Sequence, residues 1–313
     1  MQTILGASGQ IARELARELK RDYTDDLRLV SRHPQKVNDS DETFAADLLD
    51  AQQTRNAVKG SDTVYFAAGL PPDSALWERQ FPAMLKNVLE ATRMAGAKFV
   101  YFDNTYMYPQ SNAPQTEETC FAPRGRKGKV RAEMADRVLD EMKRAEIPVL
   151  IGRAPEFYGP GKTQSLTNAL ILDKLKSGKQ PRVPVRDYKL RTLIWTPDAS
   201  RALAVLGNTP DAYGQSWHLP CCDDRLTYQQ FVTLACDIFG QQADYSVISK
   251  LAFTVAGVVS KGAREIRELL PRYEFDNLFE SAKFKQRFPD FAVTTYREGL
   301  EKIRQEWNKS GTL

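Results

Sequence analysis

The stretch Gln2-Thr3-Ile4-Leu5-Gly6-Ala7-Ser8-Gly9-Gln10-Ile11-Ala12-Arg13-Glu14-Leu15-Ala16-Arg17-Glu18-Leu19-Lys20 decides the fold. Its first four residues are an apolar, β-prone run. Its last eight place alanine and leucine on one face of a helix. Between them, Gly6 and Gly9 let a ligand approach the main chain, and Ser8, Gln10 and Ile11 carry N–H groups at the helix start. Strand, glycine turn and helix in that order make an anion site suited to a pyrophosphate. A Gly-x-x-Gly pair alone is a weak signal; the strand before it and the amphipathic helix after it give it weight.

Outward from this turn, apolar runs and helical stretches alternate. Strands are expected at 27–31, 44–46, 62–69, 98–102 and 149–152, and helices near 9–20, 49–58, 75–95 and 127–145. In the stretch 75–95, Leu76, Phe81, Met84, Leu85, Val88, Leu89 and Ala91 form one face at helical spacing. Strands that are apolar on both faces, each followed by a helix, imply a parallel sheet covered on both sides. Right-handed crossovers then give an α/β fold, a doubly wound Rossmann sheet with its ligand at the carboxyl ends of the strands. Beyond about residue 160 the pattern loosens. Helices are expected near 164–177, 196–206, 227–239, 247–270 and 294–309, and strands near 191–195 and 215–219. The expected organisation is an NAD(P)-binding Rossmann domain over 1–160. A smaller, mostly helical substrate-binding lobe over 161–313 is partly interleaved with it.

Composition narrows the class. Of 313 residues, 42% are hydrophobic and 27% charged, as in soluble globular proteins. A net charge of +4 gives no reason to expect a nucleic-acid or membrane partner. The most apolar late segment, 251–259, is too short to span a bilayer. With Met1 adjoining the first strand, no cleavable signal is expected. Cys120, Cys221, Cys222 and Cys236 lack metal-ligand spacing, which points to reduced thiols and a cytoplasmic protein. Two histidines, His33 and His218, leave little for zinc or for a Ser-His-Asp mechanism, so no metal is expected.

Several residues carry candidate chemistry. Ser31 and Arg32 end the second strand, where an acidic residue would hold the ribose hydroxyls of NAD. A guanidinium there suits the 2′-phosphate of NADP, so NADP is preferred over NAD, unless Arg32 is simply a solvated arginine. Asp47 either accepts a hydrogen bond from the adenine amino group or caps the helix starting near Leu49. Ala67, Ala68 and Gly69 leave room for the cofactor ribose.

Gly6-x-x-Gly9-x-x-Ala12, Asp47-Leu48, the small residues after the fourth strand and Asn87-Val88-Leu89-Glu90-Ala91 together resemble the extended short-chain dehydrogenases/reductases, the nucleotide-sugar epimerase and dehydratase group. The likeness continues in Arg153-Ala154-Pro155-Glu156-Phe157-Tyr158-Gly159-Pro160, in Arg191 to Asp198, and in Tyr296-Arg297-Glu298-Gly299-Leu300. It implies Leu48 and Pro155 as cofactor-lining residues, and Tyr158 and Arg191 as substrate-binding residues. The family counterpart of Arg191 contacts the diphosphate of a nucleotide sugar; the alternative is a buried arginine paired with Asp198 or another carboxylate. The likeness also implies a small-molecule substrate and a homodimer formed through the helices near 75–95 and 127–145.

The sequence departs from the family pattern twice. The family's Ser or Thr after the fifth strand falls on Asn104, with Thr105 one step later; either can donate to a substrate oxygen. The family's Tyr-x-x-x-Lys aligns its lysine on Lys129, as ribose-orienting and catalytic residue, but its tyrosine on Gly125. No tyrosine lies between Tyr108 and Tyr158. Tyr106 or Tyr108, from the preceding strand end, can supply a phenol in its place; Tyr106 is the candidate proton donor, unless it is a plain core tyrosine. The resemblance thus implies an NAD(P)-dependent oxidoreductase or epimerase/dehydratase-like enzyme with an atypical site, transferring hydride to or from a small carbonyl, enone or sugar-nucleotide substrate. Relocated acids are a feature of progesterone reductase-like members. The alternative is a non-catalytic NADP-binding redox sensor, similar to nitrogen-metabolite-repressor regulators. The cluster Arg124, Arg126, Lys127, Lys129 and Arg131 at a helix start is electrostatically unfavourable and hints at a nearby anion.

Overall fold

The alternation of apolar strands and amphipathic helices is realised in the computed structural model, which describes residues 1–309. In chain order these form β1 (Gln2–Leu5), α1 (Gln10–Asp22), β2 (Leu27–Ser31), β3 (Glu42–Ala45), α2 (Ala51–Val58), β4 (Thr63–Phe66), α3 (Ser74–Ala95), β5 (Lys98–Asp103), α4 (Gly125–Arg144) and β6 (Val149–Arg153). There follow β7 (Glu156–Tyr158), α5 (Asp173–Lys176), β8 (Arg182–Pro184), β9 (Leu190–Arg191), β10 (Leu193–Trp195), α6 (Thr196–Gly207) and β11 (Gln215–His218). The last elements are β12 (Leu226–Thr227), α7 (Tyr228–Phe239), β13 (Ser246–Ile248), α8 (Lys250–Val259), α9 (Lys261–Arg267), α10 (Ala282–Arg287) and α11 (Tyr296–Lys309).

Seven strands form one parallel sheet in the order β11-β6-β5-β4-β1-β2-β3. Leu5 of β1 is in register with Val30 of β2 and Phe66 of β4, so the three strand ends that should carry the cofactor lie side by side. All four residues of β4 are buried, as a central strand covered on both faces requires. The chain reverses its direction of travel across the sheet between β1 and β4, the switch point where doubly wound folds bind ligands.

Two compact units result. One comprises Met1–Met107, Arg126–Ala154 and Ala199–Leu219; the other comprises Tyr108–Gly125, Pro155–Asp198 and Pro220–Leu313. The core of the first packs Leu5, Val30, Phe66 and Val149 of the sheet against Leu85 and Val88 of α3 and Met134 and Val138 of α4. The core of the second gathers Tyr158, Leu172, Trp195, Phe231, Tyr296 and Trp307.

Three sequence expectations are corrected. The strand expected near 215–219 is the edge of the main sheet, with Trp217 opposite Gly152 of β6. Gly152 allows this, because a Cβ there would lie 2.5 Å from the Leu203 side chain of α6. The single helix expected over 247–270 is instead β13, α8 and α9, separated at Ser260, whose Oγ accepts from the Ala263 N–H at 3.3 Å and caps α9. Finally, α2 starts at Ala51 and its N-cap is Asp50, which takes the N–H groups of Gln52 and Gln53. Asp47 is therefore not a helix cap; its carboxylate accepts from Leu49 N–H at 3.0 Å in a local turn.

Candidate active site

The opening turn is built around Gly6. Its N–H and that of Ala7 both donate to the Val30 carbonyl, at 2.9 and 3.0 Å, and Gly9 N–H closes the turn on the Gly6 carbonyl at 3.0 Å. Gly6 has φ of 91°, the left-handed region that favours glycine. A Cβ at this position would stand 2.5 Å from the Cα of Ala68. Gly6, Ala67 and Ala68, far apart in sequence, thus meet as one backbone-lined surface. At Gly9 the helix α1 begins without a side-chain cap. A helix start of this kind presents its first-turn N–H groups and the positive end of its dipole to an anion. Ser8 Oγ donates to Ser31 Oγ at 3.0 Å, and the exposed Arg32 follows directly. Leu48 is buried and its carbonyl accepts from Asn87 Nδ2 at 2.9 Å, tying α3 to the exit of β3. Asp47 is half-buried and Gly69 exposed beside these groups in the chain. An uncapped helix start, a cradle that a Cβ would fill and a cation after β2 fit a phosphate-bearing dinucleotide.

The carboxyl end of β5 carries a charged cluster that sequence reading missed. Buried Asp103 is paired with two buried arginines, Arg131 of α4 and Arg153 of β6, each at 3.1 Å. The Arg131 guanidinium also lies over the rings of Phe81 and Tyr101, at 5.3 and 5.8 Å from their centroids. Three buried charges fix where β5 ends and hold the next residues. Asn104 Oδ1 accepts from Tyr106 N–H at 3.0 Å, so its amide nitrogen is the part able to donate to a substrate. Thr105 is buried. Tyr106 is half-buried, and its ring stacks on Trp77 of α3 with centroids 6.1 Å apart.

α4 presents a different lysine from the one expected. Lys127 is fully buried and its Nζ donates to Ser74 Oγ at 2.6 Å. Lys129 is exposed. Two residues along a helix is a rotation of about 200°, so the two side chains must diverge. Lys127 shares the inward face with Val130, Arg131 and Met134. Whichever lysine is taken as anchor, the residue four positions earlier cannot ionise: Pro123 before Lys127, Gly125 before Lys129. Gly125 has φ of 74°, and the carboxyl group of Glu268 occupies the space that its side chain would fill. The basic cluster is partly answered by protein carboxylates, since Arg126 pairs with Glu78.

In the second unit the two expected substrate residues are both buried. Tyr158 is buried among Trp195, Phe231 and Tyr296, and its hydroxyl donates to the Thr295 carbonyl at 3.3 Å. Burial holds its phenol well above the usual tyrosine range. Arg191 is buried in an ion pair with Glu156, lies 4.7 Å from the ring centroid of Tyr273, and donates to the carbonyls of Arg272 and Phe275. Its partner is Glu156, while Asp198 accepts from Thr294 N–H at 2.6 Å. Neither Tyr158 nor Arg191 offers surface to a substrate. Pro155 is buried between β6 and β7. The clue to the inward face was legible: Lys127 and Arg131 share the spacing of Val130, Met134 and Val138, an apolar helix face.

The structure closely matches several solved ones. The crystal structure of gox2253 superposes with a TM-score of 0.81 at 18% identity, covering 100% of this chain and 99% of that one. UDP-glucuronic acid 4-epimerase from Bacillus cereus, in complex with NAD, gives 0.78 at 14%, covering 98% and 99%. MoeE5 in complex with UDP-glucose and NAD gives 0.78 at 18%, covering 100% and 99%. At these identities the likeness is one of fold. In sequence the chain is 28% identical over 213 residues to a ceramide reductase of Caulobacter vibrioides (strain NA1000 / CB15N), a match over 66% of this chain and 61% of that protein. The chain therefore aligns with less than two thirds of that relative's length. A family model described as NAD dependent epimerase/dehydratase matches residues 3–219, well over half of the chain. With the sheet order and the glycine turn in agreement, the chain belongs to the NAD-dependent epimerase/dehydratase family.

Proposed function

We propose that the chain is an NADP-dependent oxidoreductase acting on a carbonyl or enone compound that carries no nucleotide diphosphate. The observation that carries this reading is the sealed Arg191. The residue that would grip a sugar-nucleotide diphosphate is spent on Glu156 and two backbone carbonyls, so diphosphate recognition at that position is lost. The likeness to a protein named ceramide reductase supports a reductive activity on a compound without that group. The unit containing Gly6 holds the cofactor, and the unit containing β7 to β10 supplies substrate selectivity. The dinucleotide, when bound, supplies the hydride. The Asn104 amide donates to the substrate oxygen, and Tyr106 supplies the proton. Lys127, in place of Lys129, keeps α3 and α4 in position through Ser74. Arg32, with Ser31 beside it, takes the 2′-phosphate.

Consumption of NADPH against a panel of long-chain ketones, enones and sugar nucleotides tests the reading. Turnover of an apolar carbonyl compound and none of the sugar nucleotides is the expected result; the reverse would overturn it. Arg32→Ala should weaken NADPH binding by about 10–100-fold while changing NADH binding far less. Equal losses for both cofactors would remove Arg32 from its role. A second reading, a non-catalytic NADP-binding sensor, is favoured by Gly125 and the outward Lys129, which together leave the family's proton relay without either member. Tight NADPH binding with no oxidation across the whole panel would select it.

A further inference from the structure

α8 reads Lys250-Leu251-Ala252-Phe253-Thr254-Val255-Ala256-Gly257-Val258-Val259, and it is apolar on two sides. One side is used: Phe253 is buried, and Gly257 packs against α9, where a Cβ would lie 3.4 Å from the Arg264 Cα. The other side is bare. Leu251, Val255 and Val258 are 72%, 64% and 75% exposed. Their spacing of four and three places them within an arc of about 60° on the helix. Large apolar side chains scattered singly on a surface are ordinary, but three aligned on one helix mark a contact surface.

The charge around the stripe says what covers it. Residues 250–268 contain Lys250, Lys261, Arg264 and Arg267 against two acids, Glu265 and Glu268, and the Glu268 carboxyl lies against Gly125. Lys250 is paired with Glu274 at 2.5 Å. The other three basic residues are exposed on α9 or at its start. Arg264 is held at the end of the stripe, its Nε donating to the Gly257 carbonyl at 3.0 Å. An apolar stripe flanked by exposed basic side chains is the pattern of a helix lying in the plane of an anionic membrane surface. A second copy of this chain, with the same basic residues, would place like charges face to face.

We propose that α8 and α9 dock the protein on an anionic phospholipid surface. The stripe of Leu251, Val255 and Val258 enters the acyl boundary while Lys261, Arg264 and Arg267 meet the headgroups. The helix is too short to span a bilayer, and among the described residues no helix is long and apolar enough to do so; lying on the surface needs no such length. The chain-wide charge conceals this patch because acidic residues elsewhere balance it. The inference goes beyond the proposed reaction and does not depend on it.

Co-sedimentation of the full chain with vesicles of phosphatidylcholine alone, and with added phosphatidylglycerol, tests the proposal. Binding should require phosphatidylglycerol, weaken as salt is raised, and fall about tenfold or more in Leu251→Asp/Val258→Asp. Lys261→Glu/Arg267→Glu should weaken it as well and leaves the stripe intact, which keeps the test valid if the first variant folds poorly. NADPH affinity should be unchanged in both. Absence of binding to anionic vesicles would overturn the proposal, as would a solution dimer that Leu251→Asp/Val258→Asp dissociates without any vesicle binding. Turnover of water-soluble carbonyl compounds without vesicles tests the reaction separately.

Discussion

At the scale of single residues, Gly6 and Asp103 carry most of the argument. Gly6→Ala adds a methyl group 2.5 Å from a backbone atom, at a φ that L-residues rarely adopt. The loop must shift at the point where the pyrophosphate would sit. We expect a loss of about 1–3 kcal/mol in stability and at least a tenfold loss of NADPH affinity, read by chemical denaturation and fluorescence titration; unchanged binding would show that this turn does not hold the cofactor. Asp103→Ala leaves the buried guanidiniums of Arg131 and Arg153 without their shared carboxylate. Breaking such a cluster should cost about 3–5 kcal/mol, visible as a lower denaturation midpoint. Gly6 was legible in the sequence because only a tight approach demands glycine between a strand and a helix. Asp103 was not, because its two partners lie on different elements and no spacing announces them.

At the scale of elements, α4 shows how pattern and alignment can disagree. Aligning Glu133 on the family's later Glu selects Lys129, whereas the apolar periodicity of the helix selects Lys127. Burial follows the periodicity, since the face packed on α3 must be the apolar one. Lys127 is tolerated there because Ser74 takes its ammonium. The same element yields a prediction. Gly125→Tyr puts a phenol at the family's position, but also puts a side chain at positive φ against Glu268. It should lower stability by about 1 kcal/mol or more and should not raise turnover; a gain in rate would mean that the family's proton relay is still intact here. Caps show a related limit of reading by sequence. Asp47 and Asp50 are equally good capping residues, and the three-residue difference was decided by where β3 ends and not by propensity.

At the scale of the whole molecule, buried phenols link stability to pH. Burial raises the ionisation of Tyr65, Tyr101, Tyr158, Tyr213, Tyr228 and Tyr296 above the ordinary tyrosine value. The folded chain keeps these groups neutral while the unfolded chain ionises near pH ~10. Their contribution is complete below that pH and is lost as pH rises above it. The denaturation midpoint should be flat toward neutral pH and drop steeply above about pH 10. Tyrosinate absorbance should appear in one cooperative step with unfolding; gradual titration of these residues in the folded state would contradict their burial. The parallel sheet was largely legible, because its first six strands follow one another along the chain with α1 to α4 among them. The seventh strand was read, but not its place in this sheet, because β11 comes after a long passage through the other unit. That passage has a consequence for synthesis. β6 ends at Arg153 and its outer neighbour begins only at Gln215. On a ribosome adding about 5–20 residues per second, the open hydrogen-bonding edge of β6 waits several seconds for its partner. The nascent chain therefore passes through a stage with an unprotected sheet margin, the form most prone to mispairing. A fragment ending at residue 160 is that stage made permanent, and it should aggregate where the full chain stays in solution.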